Sequence, residues 1–204
     1  MSEELDYIIR KFNLDTSSRM PIRFPLKRSE FARLLAELSY DKGAEIGVWK
    51  GIYAEKMCKA NPNLTLHAID PWTNYSEYTE VRDQNRIHEA YLEAVERLAQ
   101  YKCRIVKMFS MEAVKSFEYD SLDFVYIDGN HDFRHVTDDI DEWGKIVRSG
   151  GIIAGHDFKR HKDQKKRFNC HVKDVVSAYT YAHQIKPWFV ITGENNPSWF
   201  WVKE

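Results

Sequence analysis

The stretch Ala44-Glu45-Ile46-Gly47-Val48-Trp49-Lys50-Gly51 constrains this chain more than any other. An apolar-leaning run leads into two glycines, and Ile52-Tyr53-Ala54-Glu55-Lys56-Met57 follows with helical character. Strand, glycine turn and helix in that order let an α/β protein bring its backbone against a nucleotide-like ligand. The glycines are spaced Gly-x-x-x-Gly, with an acid two residues before the first. This differs from Gly-x-Gly-x-x-Gly, and a carboxylate at Glu45 would repel a pyrophosphate. It would suit a ligand that carries an ammonium group.

The hydrophobic pattern around the turn alternates between two periods. Strands are expected over 43–48, 64–69, 103–108, 122–127 and 150–155, and helices over 52–60, 83–100, 110–117, 133–147 and 171–184. Ser29 is expected to cap a further helix through about Ser39, with Phe31, Leu34, Leu35 and Leu38 on one face. Such alternation predicts a doubly wound α/β fold, a parallel sheet with helices on both faces. The aromatic runs 188–192 and 199–202 flank a Gly-Glu-Asn-Asn-Pro turn and read as a hairpin, so one antiparallel strand joins the sheet. Residues 1–27 end in a segment with two prolines, Pro21 and Pro25, and are expected to form an extended arm or lid before a single domain over 28–204. Residues 71–82 and the basic 159–169 read as insertions.

Composition excludes several classes. The 204 residues suit one domain with a real core, and a formal net charge of −1 gives no field for nucleic acid or an anionic membrane. No run approaches the roughly 18 apolar residues of a membrane span, and the acidic start lacks the apolar core of a leader. Cys58, Cys103 and Cys170 are odd in number and far apart, as expected of reduced thiols in a cytoplasmic protein.

Two constellations carry chemistry. The strand expected over 64–69 ends in Asp70, 19 positions past Gly51 (70 − 51). A carboxylate about 20 residues beyond the glycine turn accepts hydrogen bonds from a ribose diol, although alone it reads equally well as a turn or cap residue. With Glu45, Gly47 and Gly51 it points to S-adenosylmethionine (SAM) in preference to NAD, with Trp72 packed on the adenine. Ser110 and Met111 stand at the adenine level, and Ser110 also suits a helix N-cap. The second constellation lies at two further strand ends, Asp128-Gly129-Asn130-His131 and Gly155-His156-Asp157. Each is ordinary turn chemistry alone. On neighbouring strands they converge, with Asp128, Asp157 and His156 suited to a divalent ion and His131 to a general base. His135, Asp138 and Asp139 are assigned helix-face or capping roles. The run 159–167, six cations against one acid, is a solvated loop or a lid over an anionic acceptor.

These segments, with Ala68-Ile69-Asp70-Pro71-Trp72 and Ser149-Gly150-Gly151-Ile152-Ile153-Ala154, resemble the class I SAM-dependent methyltransferases, more narrowly the methyltransferase domain 24 type related to macrolide-sugar O-methyltransferases. The resemblance spans roughly 28–204. It implies a seven-stranded sheet with the last hairpin strand antiparallel, Glu45 and Gly47 near the methionine part of SAM, and Asp70 on the ribose. It further implies Asp128 and Asp157 as magnesium ligands and His131 as base, whereas His156 stands where those enzymes have an acid or amide. The expected function is metal-assisted O-methylation of a small hydroxylated molecule such as a sugar, with a homo-oligomer allowed for. A SAM-binding sensor or assembly subunit without turnover is the alternative. An NAD-linked oxidoreductase is disfavoured by the glycine spacing.

Overall fold

The computed structural model describes residues 1–77, 83–162 and 169–204. In chain order the elements begin α1 (Glu3–Phe12), β1 (Ile22–Phe24), α2 (Arg28–Glu37), β2 (Lys42–Ile46), α3 (Ile52–Ala60), β3 (Thr65–Ile69), α4 (Gln84–Leu98) and β4 (Cys103–Val106). They continue α5 (Ser110–Ala113), a 3₁₀ turn (Val114–Ser116), β5 (Leu122–Ile127), α6 (Phe133–Ile146) and β6 (Val147–Gly155). The short pair β7 (His161–Lys162) and β8 (Asn169–Cys170), α7 (Val172–Ala182), β9 (Phe189–Ile191) and β10 (Ser198–Val202) complete the set.

The main sheet runs β1-β9-β10-β6-β5-β2-β3-β4, and β10 alone opposes its neighbours. This is the expected doubly wound, mostly parallel sheet. Its central strands read as continuous apolar runs because both faces are covered. Phe124 and Tyr126 join one core layer with α2, α3 and α4, while Val125 and Ile127 join the other with α6 and α7. Among the described residues no helix is long and apolar enough to cross a membrane.

The sheet has eight strands, not seven. The extra one, β1, comes from the segment expected as an arm or lid. Its extended backbone lies between Pro21 and Pro25 and pairs in parallel with β9, Ile22 opposite Phe189. An edge position tolerates the flanking prolines, which lack an N–H for a second neighbour. Helix α1 precedes it, capped by Ser2, whose Oγ accepts from the Leu5 N–H, and buries Leu5 and Ile8 in the same core layer as β1. Helix α2 starts two residues earlier than expected. Its N-cap is Lys27, not Ser29, because the Glu30 carboxylate takes the Lys27 N–H at 2.9 Å.

At the carboxyl edge, adjacent strands are stitched together by one backbone bond each. Asp70 N–H donates to Val106 O, Gly47 to Ile69, Asp128 to Ile46 and His156 to Ile127, at 2.7 to 3.2 Å. The residues that leave β3, β2, β5 and β6 are therefore held at one level.

Replacing the fully buried Ile8 by Ala should cost about 2–5 kcal/mol in chemical denaturation. A cost below about 0.5 kcal/mol, the range of surface substitutions, would make α1 a detachable arm.

Candidate active site

The strand order reverses between β2 and β5, and ligands of open α/β sheets sit at that switch, outside the carboxyl ends. Gly47 opens the crevice. Its φ is +86°, and a Cβ there would lie 2.2 Å from the Asp128 carbonyl oxygen, so no other residue permits this approach. Gly51 answers a different need. At φ +72° it caps α3, and a Cβ would press on Leu98 and Ala94 of α4. It lines neither cavity of the site.

Asp70 holds the turn in shape. Its Oδ2 accepts from the N–H groups of Val48 and Trp49 at 2.9 Å, and its Oδ1 from Trp72 N–H at 2.8 Å. A carboxylate offers about four acceptor positions, so roughly one is left for a ribose hydroxyl. Burial keeps the Asp70 pKa above its ordinary value, although the three N–H bonds pull it down. Trp72 is buried, donates from Nε1 to Trp49 O at 2.8 Å and packs on Tyr91, so it braces the turn while lining the cavity.

The first cavity, about 230 Å³, runs from Gly47 past Asp70 and Trp72 to Ser110, Met111 and Asp139. Ser110 is not the expected N-cap, which is Phe109. Its hydroxyl donates to Asp139 Oδ1 and accepts from Trp143 Nε1 at 2.8 Å. Asp139, expected on the helix face or as a cap, is buried, and its pKa is pushed up to about 7 by that burial. Its signal in the sequence is periodicity, for Val136, Asp139, Ile140 and Trp143 share one buried stripe of α6.

A second cavity adjoins the first at Gly47, Trp49, Asp128 and Gly129, and takes in Arg28, Glu45, His131, His156 and Asp157. Here the two expected strand-end clusters meet. His131 Nε2 lies 3.6 Å from Asp128 Oδ1 and 3.2 Å from Asp157 Oδ2. Suitable donor atoms of Asp128, His131 and Asp157 lie within 4.8 Å of one another, a set whose chemistry fits a divalent ion. Asp157 holds its place at φ +52°, a conformation that costs a non-glycine residue energy and is common at functional sites.

His156 takes a different position from the one expected of a ligand. Its Nε2 faces Arg28 Nη1 at 3.3 Å and its Nδ1 faces Asp128 and Asp157 at 3.4 and 3.5 Å. Arginine only donates, so Nε2 accepts and the ring proton sits on Nδ1, aimed at the carboxylates. That leaves no Nδ1 lone pair for an ion.

Two cations complete the cluster, Arg28, unmarked by the local sequence pattern, and Lys159, the first residue of the basic run. Arg28 Nη2 pairs with Asp128 Oδ2 at 3.3 Å while its guanidinium stacks over Tyr53 at 4.0 Å, and Lys159 Nζ pairs with Asp157 Oδ1 at 3.0 Å. Burial opposes ionisation of Asp128, but hydrogen bonds from His131 and His156 and the charge of Arg28 hold it well below the carboxylate range. Asp157 is lowered against burial, first by the hydrogen bond to His131 and then by the neighbouring imidazoles. Glu45, buried in β2, is shifted the other way, well upward, by burial that Arg28 only partly offsets. Of the basic run, Arg160 is paired with Asp174 and residues 163–168 lie outside the described set, as do 78–82 of the other insertion.

With this geometry in place the relatives are informative. The methyltransferase domain model Methyltransf_24 matches residues 44–158, more than half of the chain, and the chain belongs to that family. It is a SAM-dependent methyltransferase of class I. No curated protein sequence matches it. A Staphylococcus aureus structure assigned provisionally as a caffeoyl-CoA O-methyltransferase superposes with TM-score 0.62 at 12% identity, covering 100% of this chain and 93% of that one. The O-methyltransferase TomG of Streptomyces achromogenes, solved with SAM, gives 0.59 at 17% identity over 100% and 91%. The N-methyltransferase NodS of Bradyrhizobium japonicum gives 0.56 at 15% over 87% and 95%. At these identities the structures share the fold.

Asp139 generates a pH prediction. Its native value of about 7 exceeds the ordinary value near 4, so the native state holds this proton more tightly than the unfolded chain does. The stability it contributes is full below about pH 4 and is lost as the pH rises through about 7. Between about pH 5 and 7 the wild type should lose stability relative to Asp139→Asn, by up to ~1.4 kcal/mol per pH unit in urea denaturation. Parallel pH profiles would show that the native carboxyl is not shifted.

Proposed function

We propose that this methyltransferase methylates a hydroxyl of a small polar molecule such as a sugar, with His131 as base and a divalent ion assisting. The observation that carries the reading is the convergence of Asp128 Oδ1, Asp157 Oδ2 and His131 Nε2 beside the crevice at Gly47. Three lone-pair-bearing atoms facing one another repel unless something positive lies among them, either a donated proton or a cation.

The groups on the glycine turn fit SAM: Gly47 leaves room for close approach, and buried Glu45 Oε2 has no hydrogen-bond partner, an acceptor suited to an ammonium. When bound, SAM supplies a methyl group activated on a sulfonium. Asp128 and Asp157 would hold a divalent ion, whose chemistry is to lower the pKa of a bound hydroxyl, and the His131 Nε2 lone pair is left for the proton. The chain's own work is positioning and proton transfer. Rigid strand ends hold the acceptor hydroxyl beside the crevice. His131 Nε2 takes its proton, and the resulting imidazolium is stabilised by the carboxylates on either side. Buried Ile46 and Ile69 line the first cavity with apolar groups that limit water. The basic residues 159–167 suit an anionic acceptor, and the three free thiols suit the reducing cytoplasm.

His131→Ala should lower turnover by about 10²–10⁴-fold in an assay with methyl-labelled SAM and a panel of sugars and phenols, with S-adenosylhomocysteine affinity unchanged. Undiminished turnover would remove His131 from the mechanism. For the ion, manganese titration followed by electron paramagnetic resonance should show binding that Asp157→Asn weakens about tenfold or more. Wild-type protein that binds no manganese or magnesium would remove metal assistance from the proposal.

A further inference from the structure

Two side chains of opposite charge in the second cavity, Glu45 buried and Arg28 half-buried, each carry a buried atom without a hydrogen-bond partner. Glu45, 2% exposed, has an unpartnered Oε2, and Arg28 has an unpartnered Nε. Buried polar atoms are seldom left unmet, and each such case calls for an explanation. The two atoms do not satisfy each other. Arg28 and Glu45 attract one another, yet among the described residues the ion pair of Arg28 is with Asp128.

The rest of Arg28 is engaged. Nη1 and Nη2 face His156 and Asp128 at 3.3 Å, and one face of the guanidinium lies on Tyr53. Both contacts are longer than the 2.7–2.9 Å of strong charge-assisted bonds. The Nε–H is thus a free, oriented donor on a fixed plane. It lies in the same cavity as a free acceptor, and that cavity opens at Gly47 into the one read as the adenosine pocket.

A ligand that meets both atoms carries an anion and a cation close together. An anionic acceptor without an ammonium would meet Arg28 only by facing the Glu45 carboxylate, and a neutral sugar would meet neither charge. An α-amino acid end meets both. We propose that Arg28 binds the carboxylate of the methionine part of SAM through its Nε–H, opposite Glu45 on the ammonium, and so selects cofactors that keep that carboxylate. The inference rests on the SAM reading of the crevice.

Calorimetric titrations of S-adenosylhomocysteine, its decarboxylated analogue and adenosine test it. The wild type should bind S-adenosylhomocysteine about tenfold or more tighter than the decarboxylated analogue. Arg28→Met should bring that ratio to within about twofold while adenosine affinity holds. Should Arg28→Met fail to fold, Arg28→Lys keeps the charge and loses the fork, and the ratio should fall by about threefold or more. A ratio unchanged by either variant would overturn the proposal, as would a changed KM for an anionic acceptor at constant ratio. Wild-type protein that binds none of the three compounds would instead overturn the SAM reading itself.

Discussion

The backbone of Gly47 lies against the carbonyl of Asp128, and the rest of the site depends on that approach. It is possible because β2 and β5 are parallel neighbours at the point where the strand order reverses. Each strand end is bonded to the next, so the turn, Asp70, Asp128 and His156 are placed by one continuous backbone network, with Asp157 directly after His156. The Asp70 carboxylate then fixes the turn from outside by accepting two of its N–H groups. A residue expected mainly as a ligand contact is thereby also a structural clamp.

The charges beside the turn are balanced in pairs. Asp128 and Asp157 face Arg28 and Lys159. Each carboxylate remains ionised despite burial because a cation and imidazole donors stabilise it, as the cost of an isolated buried charge requires. Glu45 lacks such a close partner, and its ionisation is opposed accordingly. The second cavity thus combines carboxylates that stay charged with one, at the glycine turn, whose Oε2 has no hydrogen-bond partner. Carboxylates in such different environments can divide the work of binding and of acid–base chemistry.

Much of this was legible in the sequence because the key residues leave strands in contiguous motifs. Glu45-Ile46-Gly47, Ile69-Asp70 and Ile127-Asp128 each combine a buried strand with a polar residue at its carboxyl end, a pattern with a direct spatial meaning. What stayed hidden depends on contacts between distant segments. Gly51 looks like a second ligand glycine until α4 is seen packed on it. Strand β1 is only three residues long, and its partner β9 lies near the other end of the chain, so no local pattern marks the pairing. Arg28 sits in ordinary charged surroundings along the chain, and only the fold brings it to Asp128. Asp139 was the recoverable case, as an acid on the apolar stripe of α6.

The most direct measurement of the central claim is a crystal structure of the protein with S-adenosylhomocysteine bound. The account predicts the adenosine between Asp70 and Ser110 in the first cavity, the sulfur beside Gly47, and the amino acid end among Glu45 and Arg28. The same compound bound away from the crevice between β2 and β5, or in the crevice with its ends exchanged, would contradict it.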